Sequence, residues 1–171
     1  MNKGYVFLAT FVMIISIVFT THAQETAHIS SIQVDIWPEY DQPAVLVIYH
    51  IFLDEDVPFP AIIDLRVPVN AEVTAVAVED QEAGLILTDY TRTISGEWAT
   101  LSITTSNSVI QVEYYDTLQK DGTHRQYNYE WSGNLIIDEF TLIFQNPVGA
   151  TDIEFNTEPI SNQLGLYDLL Y

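Results

Sequence analysis

Histidines, carboxylates and aromatic rings are the groups in this chain with chemistry to offer. There is no cysteine anywhere in the 171 residues, so thiolate nucleophiles, disulfides and thiolate metal sites are excluded. Beyond residue 23 the histidines are His28, His50 and His124, scattered over nearly 100 residues, and no serine sits in a Gly-x-Ser-x-Gly turn, so a nucleophile–base–acid triad has no support in the sequence. The same scatter offers no short-spaced ligand set of the kind zinc takes. Carboxylates are abundant, at 24 against 5 Lys and Arg. Acidic turns suit calcium, which collects six to eight oxygens from loops. The best-spaced pair is Asp54 and Asp56, two residues apart and able to converge on one ion. No EF-hand pattern surrounds them, so a cofactor is not required and calcium is the one metal to test. A carboxylate pair could also hydrolyse a glycosidic bond, but with so many acids a suitable pair arises by chance, and a small domain has little room for a substrate cleft. The chain is therefore expected not to be an enzyme.

Aromatic rings give the strongest signal for binding. Tyr127, Tyr129 and Trp131 alternate with Asn128 and Glu130, which puts the three rings on one face of an extended segment near Tyr114 and Tyr115. Exposed, such a row is a stacking platform for a glycan or peptide; buried, it is core. Polar residues on the opposite face (Gln126, Asn128 and Glu130) favour the inward orientation.

The elements that would position these groups read as strands. Ile32, Val34 and Ile36 alternate with polar residues up to Pro38, and Ala44 to Phe52 is nearly all apolar, as in a central strand covered on both faces. Further strands are expected at Ile63–Val67, Val73–Val78, Leu85–Tyr90, Tyr90–Ile94, Trp98–Thr105, Val109–Tyr115, His124–Trp131 and Phe140–Phe144, with a last short one at Ile153–Phe155. Ser95-Gly96 is placed as a two-residue hairpin turn, and Lys120-Asp121-Gly122 as the loop of a hairpin joining Val109–Tyr115 to His124–Trp131. Short strands, regular turn signals and no 20–50-residue repeat predict an all-β fold, an antiparallel immunoglobulin-like or jelly-roll-like β-sandwich. It occupies residues 24–158, long enough to bury a two-layer core without staples.

Residues 1–23 read as a signal segment. Lys3 supplies the positive end, Tyr5 to Phe19 is apolar apart from Thr10 and Ser16, and Thr21-His22-Ala23 offers small residues at the positions a signal peptidase needs. The apolar stretch is shorter than the roughly 20 residues that span a bilayer. Secretion follows, to the periplasm, the cell surface or the exterior; the membrane is a partner only if the segment is retained as an anchor. Residues 159–171 end on Leu169-Leu170-Tyr171 and read either as an edge strand or as the start of a second domain.

A net charge of −19 excludes nucleic acid as a partner, since a phosphate backbone is bound by clustered Lys and Arg. The stretches Trp37-Pro38-Glu39-Tyr40-Asp41, Val45-Leu46-Val47-Ile48-Tyr49, Ser95-Gly96-Glu97-Trp98-Ala99-Thr100 and Asn146-Pro147-Val148-Gly149-Ala150-Thr151 resemble uncharacterised exported bacterial envelope proteins with a β-sandwich module. The resemblance spans about residues 32–158 and implies envelope localisation; it carries no catalytic or binding residue. The expected function is a non-catalytic module for interaction or structure at the cell envelope, with a protein or glycan as partner. A carbohydrate-binding domain using the Tyr127–Trp131 face is the alternative.

Overall fold

The computed structural model describes residues 27–157; the expected signal segment (1–23) and C-terminal tail (159–171) lie outside the described residues. Among the described residues the chain is all-β, with no helix. In chain order the strands are β1 (Ile29–Pro38), β2 (Val45–Leu53), β3 (Ala61–Pro68), β4 (Glu72–Asp80), β5 (Gly84–Leu87), β6 (Tyr90–Ser95), β7 (Trp98–Thr105), β8 (Val109–Asp116), β9 (Gln119–Asp121), β10 (His124–Gln126) and β11 (Ile137–Phe144). A six-stranded sheet runs β11-β1-β2-β8-β4-β5, a three-stranded sheet runs β3-β7-β6, and β9-β10 is a separate hairpin.

One hydrophobic core joins the two larger sheets in a sandwich-like arrangement. Period-2 alternation builds it: β3 turns Ala61, Ile63, Leu65 and Val67 inward and Ile62, Asp64 and Arg66 outward. Ala99, Leu101 and Ile103 of β7 meet the same core, as do Ile110, Val112 and Tyr114 of β8. The apolar run of β2 is explained by its place between β1 and β8. Val45, Val47, Tyr49 and Ile51 fill the core, while Leu46 and Ile48 are covered on the other face by side chains of the flanking strands.

Several sequence expectations need correction. Pairing is not wholly antiparallel, because β1 runs parallel to β11, Ile32 lying beside Phe140 and Val34 beside Leu142. The expected strand at Leu85–Tyr90 stops at Leu87 and the chain crosses at Thr88-Asp89 into β6 of the other sheet. The β6–β7 turn is Gly96-Glu97, one residue later than expected, with Ser95 paired to Trp98. Gly96 takes a φ of 62°, as the first residue of a two-residue hairpin loop requires. Ile153–Phe155 is not a strand; Phe155 packs edge-on against Phe144 at 5.1 Å.

The largest difference lies at His124–Trp131. Only His124–Gln126 is strand, paired with β9 rather than with β8. The reason is topological: β8 has β2 on one side and β4 on the other, so neither edge is free. Residues 127–136 join no ladder; burial alternates from Tyr127 to Trp131, and the chain then turns at Gly133, with a φ of 67°, and bends at Leu135. They cross the flank of the sandwich where the three-stranded sheet ends at β3, and Asn134 Nδ2 donates to the Asp64 carbonyl at 2.6 Å.

Candidate functional site

The three rings of this crossing segment are half-buried and packed on the core, as the polar opposite face suggested. They reach it from a loop, not from a strand adjacent to β8. Trp131 lies 6.0 Å from Tyr49 and 5.1 Å from Phe140, both measured between ring centres, so it bridges β2 to edge strand β11. The Tyr129 and Tyr49 hydroxyls share a hydrogen bond of 2.9 Å, and Tyr127 donates to Asp116 Oδ2 at 3.1 Å. Tyr49 also stacks on Tyr114 at 5.9 Å. Burial is the main cause that drives the acidity of all four phenols well below the ordinary tyrosine range, since a phenolate there would lose its water. The row therefore closes the core rather than forming an open platform. Its outer margin still lines a cleft of about 190 Å³ together with Trp98, Asp116 and Glu130.

Asp54 and Asp56 are joined through a backbone amide. Asp54 Oδ1 accepts the Asp56 amide at 3.0 Å, a local turn, while its other oxygen faces His28 Nδ1 at 3.8 Å. On the far side of the same ring, His28 Nε2 lies 3.0 Å from Asp138 Oδ1. His28, Asp54 and Asp138 thus gather at one end of the six-stranded sheet, and Asp56 does not join them. Only Asp54 of this trio stood out in the sequence. His28 and Asp138 are 110 positions apart, and the parallel β1–β11 pairing that unites them leaves no local signature.

The remaining histidines have separate surroundings. His50 Nε2 lies 3.3 Å from Asp35 Oδ2 on the outer face of the six-stranded sheet. Asp35 is only 8% exposed; its Oδ1 accepts from the Gln33 amide at 2.9 Å, and its Oδ2 faces His50. His124 is exposed on β10. Beside it, Glu39 accepts from Lys120 Nζ and Arg125 Nε, each at 3.0 Å, tying the β9–β10 hairpin to the β1–β2 turn. Those two cations hold the Glu39 carboxyl below its usual range.

On the opposite flank, among the described residues, the sandwich is open. Ile86 pairs with buried Val78, Tyr90 with buried Ile103 and Ile94 with buried Ala99, so by register all three point between the sheets. They nevertheless remain 42%, 37% and 62% exposed, because β5 and β6 are edge strands that nothing among the described residues covers. Leu87 adds an apolar side chain on the outer face of the same edge. Comparison with models of protein families gives no match, and comparison with curated proteins gives none.

Proposed function

We propose that this chain is a non-catalytic, exported β-sandwich module that binds a protein partner at the cell envelope through the open flank of β5 and β6. The observation that carries this reading is the exposure of Ile86, Tyr90 and Ile94, which point inward and yet have no cover among the described residues. Edge strands offer unpaired backbone groups as well as apolar contacts, so the fitting partner is an extended segment added as a strand. Glu79, Asp80, Glu82 and Asp89 adjoin β5 and β6 in the chain, which favours a segment alternating basic and apolar residues. An immunoglobulin-like arrangement is favoured over a jelly roll, since a six-and-three division of strands and a parallel first–last pair depart from two equal antiparallel sheets. Export rests on the signal-like residues 1–23.

The test is binding of a lysine–valine alternating peptide against its glutamate–valine counterpart, followed by fluorescence anisotropy. The basic peptide is expected to bind, and Ile94→Glu to weaken it at least tenfold without lowering the melting temperature. Equal binding of both peptides, or indifference to Ile94→Glu, overturns the reading. Self-association abolished by Ile94→Glu would make the occupant a second copy of the chain.

A second reading, glycan binding, draws on the cleft beside Trp98, Tyr127 and Tyr129, where Asp116 and Glu130 could accept from sugar hydroxyls. A glycan panel on which Trp98→Ala removes a signal supports it; no signal from the unaltered chain rules it out.

A further inference from the structure

We propose that His28, Asp54 and Asp138 form a site for one divalent transition-metal cation of the zinc class, fastening three segments at one end of the six-stranded sheet. One donor atom from each residue lies within 4.8 Å of the other two. The donors come from distant parts of the chain: His28 just before β1, Asp54 just after β2, and Asp138 in β11. Their backbones are held by the sheet rather than by a flexible loop. Ile29 pairs with both Leu53 and Ile137, Asp54 N donates to the His28 carbonyl at 3.1 Å, and Ile29 N donates to the Ile136 carbonyl at 3.4 Å.

The donor set selects the metal. Calcium and magnesium take oxygen shells, whereas an imidazole with two carboxylates suits zinc and its first-row neighbours. Bonds of about 2.0–2.1 Å require donor atoms closer together than they stand here. The His28, Asp54 and Asp138 side chains are 46%, 34% and 61% exposed, so rotamer changes can draw them in without moving the sheet. Charge favours occupancy as well: among the described residues the only ion-pair partner of Asp54 and Asp138 is His28, and no Lys or Arg competes for either carboxylate. Three protein ligands leave at least one coordination position for water or for a donor from a partner. In the metal-free protein, the same arrangement is an imidazole standing between two acids, and the experiment separates that state from a metal site.

The experiment is calorimetric titration of the full chain with zinc chloride alone, beside titrations with calcium and magnesium, and with thermal unfolding followed in parallel. One zinc per chain, a raised melting temperature and at least tenfold weaker binding in both His28→Ala and Asp138→Asn are expected. Asp56→Asn should bind as the unaltered chain does. The inference is overturned by zinc binding that survives His28→Ala, by several weak equivalents lost equally in Asp56→Asn, by calcium binding as tightly as zinc, or by no binding at all. Asp138→Asn is nearly isosteric and exposed, so its folded state, checked by circular dichroism, keeps the result readable if His28→Ala is damaged.

Discussion

The phenols between the sheets behave as core groups with polar tips, and their hydroxyls decide how single substitutions act. Tyr49 is buried, and its hydrogen bond runs to Tyr129. Tyr129→Phe leaves that buried hydroxyl unpartnered and should cost about 1–2 kcal/mol. Adding Tyr49→Phe removes the orphan, so the double variant should be no less stable than Tyr129→Phe alone; additive losses in urea unfolding would refute the pairing. The same burial sets the alkaline limit. Tyr49, Tyr114, Tyr127 and Tyr129 all ionise above their unfolded value of 10.0, chiefly because of burial. Below pH 10 folded and unfolded chains both hold these protons, and the tyrosines give stability no pH dependence. Above it the unfolded chain releases protons that the folded chain keeps, and stability falls by about 1.4 kcal/mol per pH unit for each tyrosine. Unfolding and tyrosinate absorbance should therefore rise together above pH 10. The chain has ten tyrosines, with Tyr40 and Tyr90 exposed, so the readout is the absorbance step that appears only with unfolding; its absence would show the four rings to be open to water.

At the scale of elements, the sequence was readable wherever alternation and burial agree. Ile63, Leu65 and Val67 announced β3, and the unbroken run from Ala44 to Phe52 announced a central strand, because a covered strand has no polar face. Alternation in Tyr127, Tyr129 and Trp131 correctly pointed inward but wrongly implied a ladder. Side-chain periodicity reports which face is buried, not whether the backbone has a hydrogen-bonding neighbour, and β8 had no free edge. The His28–Asp138 contact and the open flank were illegible for a related reason: both depend on strand order, which no local pattern encodes. Two substitutions separate the elements' roles. Trp131→Ala should cost about 2–3 kcal/mol, somewhat less than for a fully buried ring, since the crossing segment loses its hold on Tyr49 and Phe140. Glu39→Gln should leave global stability within about 1 kcal/mol, as expected for exposed ion pairs. It should speed amide exchange in Gln119–Gln126, where the hairpin loses its partner for Lys120 and Arg125. Protonation should mimic it: the Glu39 carboxyl is held below 4.5, so its contribution is present above pH 4.5 and fades as pH falls through the lowered value. Global unfolding by Glu39→Gln would mean that the hairpin belongs to the core.

Across the whole molecule, charge and open edges bear on each other. A domain with two edge strands uncovered among the described residues and with exposed Ile86, Leu87 and Ile94 invites pairing between copies, yet a net charge of −19 opposes their approach. The same repulsion acts within one chain. Carboxylates far outnumber cations, and among the cations Lys120 and Arg125 are both committed to Glu39, while Arg92 donates to the Val69 and Ala71 carbonyls. Salt shortens the reach of these charges from about 30 Å at 0.01 M to about 3 Å at 1 M. Raising sodium chloride across that range should therefore lift the melting temperature of the chain by several degrees and, at high protein concentration, increase self-association. The two effects should part in Ile94→Glu, which adds a charge to the open edge without touching the carboxylates elsewhere. Its thermal gain with salt should persist while its association is suppressed, as read by sedimentation velocity beside calorimetry. Association unchanged in that variant would place the contact on another surface, and a melting temperature indifferent to salt would mean that the carboxylates are spaced too widely to strain the fold.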